Sequence, residues 1–223
     1  LENVYSFHYG PVKLIAFNNN YWMSNVSEKY GGCPEGYILG EQLDWIRSEL
    51  EAADKDPAVA YVILYAQEPV FPNGGHLGDT MWTGGDNRVR AHVYKDPNVL
   101  PEEDGLIVVR NKLVRMAASS RKVAAVLGAD EHAYHHVLIG KDVPIGDIDR
   151  DDRNKSGRID LKAGEKPSPL ADLKYNVWYI VSGGGGAPYY SEEKTPWNEH
   201  WAKKTAPRSG RPGFRYSSQE NVL

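Results

Sequence analysis

The chain has 223 residues, 41% of them hydrophobic and 25% charged, which is enough for one substantial core in a soluble globular protein. Its formal net charge of −4 leaves no basic stripe to neutralise phosphates, so a general nucleic-acid binder is not expected. No apolar run approaches the roughly 20 residues that span a bilayer. A single cysteine, Cys33, rules out an internal disulfide framework and a cysteine-based metal cluster. Two Asn-x-Ser sequons occur, at Asn25 and Asn154, and the first residue is Leu, as expected of a processed product or a fragment.

Val12 to Phe17 is a short apolar run between Gly10-Pro11 and three asparagines, which predicts a buried strand. Leu39 to Ala53 has helical spacing, with Leu43, Ile46 and Leu50 on one face, and Pro57 lies beyond its end. Ala58 to Tyr65 (AVAYVILY) is the strongest predicted strand. From Gln67 to Leu106 periodicity is lost, the mark of a functional loop or an insertion. Ile107 to Ser119 reads as a second helix, and Val123 to Leu127 as a strand running into Asp130-Glu131-His132. A polar, acidic loop from Lys141 to Lys174 leads to a last strand, Tyr175 to Ser182, followed by Gly183 to Gly186. Beyond Tyr190 there is little pattern, and Lys203 to Arg215 is locally basic. Alternating strands and helices predict an α/β layered domain.

The ordered set of motifs resembles the second half of the calcineurin-like metallophosphoesterases, including those related to purple acid phosphatases. The phrase Tyr5-Ser6-Phe7-His8-Tyr9-Gly10 introduces the first strand, and Gln42-Leu43-Asp44-Trp45-Ile46 matches a Gln-x-x-Trp-Ile/Leu helix. Gln67-Glu68-Pro69 stands at a His-x-Pro motif, and Asp130-Glu131-His132-Ala133-Tyr134 at Gly-His-x-His plus an aromatic. The run Ser182 to Tyr190 matches the Gly-rich turn after the last strand. The resemblance implies a β-sheet core flanked by helices, with only the C-terminal half of the fold represented. It places that half at residues 1–190, with loop insertions at 68–105 and 141–174 and an irregular tail at 191–223.

In this family two divalent transition metals about 3.5–4 Å apart clamp the phosphate and generate the hydroxide nucleophile. Carried over residue by residue, the positions that remain are His132, Asp130 and Gln67, a remnant of the dinuclear site. Gln67 offers a neutral carbonyl oxygen where an imidazole nitrogen is expected, while Asp130 is a tolerable replacement. That set is too small for a dinuclear centre. The resemblance therefore implies a divergent domain, not competent by itself, with a structural, assembly or binding role. The alternative is a metal-dependent phosphoester hydrolase whose first half, with most of the ligands, comes from a segment or chain outside this sequence. Either way the expected partners are such an N-terminal half, another chain, or a second copy, because an uncovered sheet edge or face invites pairing.

Three further groups carry bland readings. His135 and His136 are expected as strand-end histidines, Glu68 and Glu131 as solvated loop carboxylates, and Gly183 to Gly186 as a tight turn that lets chains approach closely. The acidic loop contains a different signal. Asp152, Asn154, Ser156, Gly157, Arg158 and Asp160 fit the start of an EF-hand-type calcium loop, with side-chain oxygens at alternate positions and a glycine at the bend. Position 12 is Ala163, so Glu165, or Asp147, Asp149 or Asp151, would have to close the shell. The weak affinity of isolated loops of this kind, together with frequent export in the phosphatase-like family, points to an exported protein, extracellular or periplasmic.

Overall fold

A seven-stranded mixed sheet forms the centre of the molecule, in the order Tyr5–Tyr9, Val12–Ala16, Tyr61–Tyr65, Val123–Gly128, Val177–Ser182, Tyr134–Ile139 and Phe214–Ser217. The computed structural model describes residues 3–21, 35–186, 188–198, 201 and 214–217. Cys33 and the Asn25 sequon lie outside them, as does most of the basic stretch toward Arg215.

β2 (Val12–Ala16), β3 (Tyr61–Tyr65), β6 (Val123–Gly128) and β8 (Val177–Ser182) are mutually parallel. These are the apolar runs legible in the sequence, as expected for strands in the interior of a sheet. Antiparallel strands flank them: β1 (Tyr5–Tyr9) on one side, and β7 (Tyr134–Ile139) with β9 (Phe214–Ser217) on the other. The segment 68–105 contains a one-turn 3-10 helix at Thr83–Gly85 and a hairpin of β4 (His92–Lys95) and β5 (Asn98–Pro101).

The main helices are α1 (Gly40–Lys55) and α2 (Leu106–Ala117); a single turn, α3 (Ile148–Asp151), lies in the acidic loop. α1 and α2 touch each other and bury Leu43, Ile46, Leu50, Leu106, Val109 and Leu113. Beneath them lie Ile15, Val62, Leu64, Val177, Tyr179 and Val137, one face of the sheet. Glu49 of α1 fixes the overlap, pairing with Lys13 Nζ at 2.8 Å and accepting from Ser6 Oγ at 2.5 Å.

The opposite face is not covered by these helices. Strand registers set its rows: Tyr5, Ala16, Tyr65, Leu127, Ile180 and His136 across one line, and Phe7, Leu14, Ile63, Ala125, Trp178 and Leu138 across the next. Tyr9, Val12 and Tyr61 begin a third. No Asp, Glu, Lys or Arg stands among them. Tyr5, Phe7, Tyr9 and Tyr61 are exposed, Tyr9 by 80%. Leu14, Tyr65, Leu127 and Ile180, with Ala66 and Gly128, line a trough of about 390 Å³ on this side.

The region beyond residue 190 differs from the irregular tail expected. Trp197 and Trp201 are fully buried, packing on Phe71 and Trp82, and Trp201 Nε1 donates to Pro144 O at 2.9 Å. β9 then adds to the sheet edge. Trp197 and Trp201 stand one helical turn apart, but no extended apolar pattern around them marks them as core, yet each has too much apolar surface to leave in water. The segment 141–174 likewise sends Val143, Ile145, Ile148, Leu170 and Leu173 into the core. Arg110 of α2 is buried with them. Its guanidinium donates to Ile145 O at 2.7 Å and Gly146 O at 2.9 Å, and lies 5.4 Å from the Phe71 ring centre and 5.5 Å from that of Trp82. Burial brings its pKa down to about 9. Among the described residues no helix is long and apolar enough to cross a membrane.

Candidate functional site

The strand ends that carry the sequence motifs meet at one edge of the sheet, where β2, β3 and β6 stop. Gln42 of α1 shapes the first of them. Its side chain accepts from Asn18 N and donates to Asn18 O, both at 2.6 Å, and so holds the chain leaving β2 against the helix. Asn19, fully buried, then pairs with the Glu68 backbone in both directions, at 2.8 and 3.0 Å.

Side chains continue to alternate past the end of β3. Gln67 points to solvent while its carbonyl accepts from Ala129 N at 2.8 Å, so the Gln67 and Asp130 motifs lie side by side. Glu68 turns inward and is 2% exposed. Asn20 Nδ2 donates to its Oε1 at 3.2 Å, and Oε2 has no hydrogen-bond partner among the described residues. Burial first, then the charges of Asp130, Glu35 and Asp79, push its pKa up to about 8, against a lowering by His76. The solvated carboxylate expected at Glu68 is thus a buried one.

Asp130 adopts φ +54°, a left-handed conformation uncommon outside glycine, in a tight turn where Glu131 N bonds Ala129 O and Ala133 N bonds Glu131 O. The turn sends Asp130 outward and Glu131 inward. Asp130 Oδ2 meets His76 Nε2 at 3.2 Å, and His76 Nδ1 meets Asp79 Oδ1 at 3.2 Å. Burial opposes a charged His76, but Asp130 and Asp79 outweigh it and raise its pKa. Glu35 beside them is raised by burial and by Asp79 and Asp130. Four carboxylates therefore gather around one imidazole.

Glu131, also expected in solvent, is fully buried. It accepts from Asn73 N at 2.9 Å, Gly74 N at 2.6 Å and His135 Nε2 at 2.8 Å. It ties the loop after β3 to β7, with His135 as a core histidine. Gly183 permits the neighbouring approach: a Cβ there would stand 2.2 Å from Glu131 O, as the close-approach reading of the glycine run requires. His132 follows in the same turn as Asp130. Its Nδ1 lies 2.7 Å from Pro188 O and its ring stacks on Tyr190 at 4.4 Å. His136 lies on the sheet face opposite the helices, 2.8 Å from Tyr134 OH and against Trp178.

The acidic loop is a separate, compact unit. Asp152 accepts from Ser156 N and Gly157 N, each at 2.8 Å, and Asn154 Oδ1 accepts from Ser156 N at 3.0 Å. Gly157 takes φ +80°, the bend its position demands. Asn154 Nδ2 donates to Asp160 Oδ2 at 3.3 Å, which brings these two side chains together. Arg158 forms a bridge with Asp86, and Ile159 N bonds Gly85 O, which ties the loop to the segment 68–105. Glu165 is held by Arg153 at 3.0 Å and by Lys162 N at 2.9 Å, a pairing that lowers its pKa through Arg153.

Glu35, His76 and Asp79 had no signal in the sequence, since they lie in aperiodic loops and owe their meeting to the fold. Among the described residues, no three His, Cys, Asp or Glu side chains stand so as to hold a metal ion.

No protein-family model matches the sequence, and no curated protein matches it. Among solved structures the chain is similar to a purple acid phosphatase from yellow lupin (Lupinus luteus) seeds, at 15% identity and a TM-score of 0.40. The match covers 87% of this chain and 25% of that one, so the chain spans about a quarter of the lupin protein's length. A looser likeness, at 17% identity and TM-score 0.27, links 58% of this chain to 38% of one described as an enoyl-CoA hydratase/carnithine racemase from Magnetospirillum magneticum. Neither likeness is close enough to carry an activity across.

Proposed function

We propose that this chain is one layer of a metallophosphoesterase-like domain, and that it serves as a binding or assembly module, not as a phosphoesterase by itself. The observation that carries this reading is the sheet face whose rows from β1 to β7 hold no Asp, Glu, Lys or Arg. Its chemistry fits another β-layer with an apolar inner face, which would pack about 10 Å away and fill the trough between Leu14 and Ile180. The occupant is a sheet from polypeptide outside these residues. The family positions support the loss of hydrolysis: Gln67 is a weak neutral donor, Asp130 is engaged by His76, and His132 Nδ1 is engaged by Pro188 O. A second reading, hydrolysis restored once the other layer brings its ligands, is favoured by one fact. Gln67, Asp130 and His132 stand at the same end of the sheet as the trough.

The loop from Asp152 to Asp160 is proposed to hold calcium as a local stiffener, supported by the Asp152 and Asn154 turns around Gly157. Export fits a low-affinity calcium loop of this kind.

The docking reading is tested by light scattering and by binding of an apolar dye, for the chain and for Ile180→Glu. Expected is a monomer that binds the dye, with binding lost in Ile180→Glu while the circular dichroism is kept. A monomer that binds no dye would overturn the reading. A dimer abolished by Ile180→Glu would replace the proposed occupant with a second copy.

A further inference from the structure

On the sheet face turned away from the helices, two phenols meet across a strand. Tyr5 of β1 and Tyr65 of β3 both stand level with Ala16 of β2, the strand between them. A methyl group is all that Ala16 puts in their way, and the residue is 4% exposed, as two rings closing above it require. Tyr65 OH donates to Tyr5 OH at 3.0 Å, and the rings stand edge-on, their centres 6.4 Å apart and their planes at 78°. Tyr9 and Tyr61 hold the equivalent places around Val12, but there a branched side chain intervenes. No ring contact joins that second pair among the described residues. Tyr5 is 48% exposed, so a solute can reach the bonded pair from outside.

We propose that Tyr5 and Tyr65 are a site of oxidative cross-linking, joined as a dityrosine by a peroxidase-generated or photogenerated one-electron oxidant. The oxidant takes one electron from each phenol as its O–H proton leaves to water. The phenoxyl radicals couple through a carbon ortho to each oxygen. The hydrogen on each joined carbon then shifts to its oxygen and restores both phenols. Two electrons and two protons are removed in all, and one C–C bond is formed. Each ortho carbon adjoins an oxygen already in contact with the other ring's oxygen, and the broad torsion about the tyrosine Cβ–Cγ bond lets the rings tilt together. Holding both radicals in one molecule replaces a rare encounter between chains. The new bond ties the edge strand β1 to β3 over β2, so that β1 no longer peels from the sheet.

The test is photo-oxidation of the dilute full chain, read by dityrosine fluorescence and by peptide mapping of the monomer fraction. Expected is a linked peptide joining Tyr5 to Tyr65, with the fluorescence reduced about tenfold in Tyr65→Phe and in Tyr5→Phe. Each variant removes only a hydroxyl, and circular dichroism checks that the fold is kept. In urea the preference for this pair is expected to disappear. No dityrosine in the monomer, a link between other tyrosines instead, an undiminished yield in either variant, or the same pair dominating in urea would overturn the proposal.

Discussion

Glu68 links the burial of one carboxyl to the behaviour of the whole protein with pH. Its pKa stands at about 8 in the fold, against about 4.3 in an unfolded chain. Between those values the folded protein holds a proton that the unfolded chain has lost, so stability falls as pH rises. The contribution is fully present below the unfolded value and is lost as pH passes the folded one. The slope from a single proton is at most about 1.4 kcal/mol per pH unit. Glu35, also raised, acts in the same direction. Urea denaturation at pH 5, 6.5 and 8 in chelated buffer should therefore show wild type losing more stability than Glu68→Gln. Parallel pH slopes would remove Glu68 as the cause. The inward turn of Glu68 was within reach of the sequence, whereas that of Glu131 depends on the left-handed turn at Asp130. Counting alternate positions outward from Leu64 puts Glu68 on the buried side. What could not be read were the partners, which lie 49 residues away for Glu68 and 58 for Glu131.

At the scale of elements, the interior strands and both long helices are legible because their apolar spacing is local. β2, β3, β6 and β8 match the four apolar runs to within three residues, and α1 and α2 lie within two of the spans the spacing predicts. β7 escapes notice because its sequence, YHHVLI, alternates polar and apolar only weakly and one of its histidines is core. β1 escapes because aromatic residues face out along it. The acidic loop is the element with its own testable chemistry. Calcium at roughly 10⁻⁴–10⁻³ M is expected to raise the melting temperature of wild type and not of Asp152→Asn. An equal rise in both, measured by differential scanning fluorimetry, would move the calcium elsewhere.

For the whole molecule, the unreadable part is long-range packing. Residues 195–201 carry two tryptophans back to the loop after β3, where Phe71 and Trp82 receive them. Trp201→Ala is expected to cost about 3–5 kcal/mol in denaturant unfolding, since it empties a buried site and strands Pro144 O. A loss below about 1 kcal/mol would mean that this region is peripheral after all. The sheet face opposite the helices has a further consequence. Its flank at β1 and β3 carries the hydroxyls of Tyr5, Tyr9, Tyr61 and Tyr65, with Tyr65 OH bonded to Tyr5 OH at 3.0 Å. Beyond that flank, Ala125 and Leu127 of β6 and Ile180 of β8 carry no hydrogen-bonding side chain. Phenols covered by another surface still need partners, whereas aliphatic groups gain only by drying. A layer laid on this sheet would therefore seal dry along the centre and keep water along the tyrosine margin, and solvent isotope exchange at the strand amides would map that shoreline.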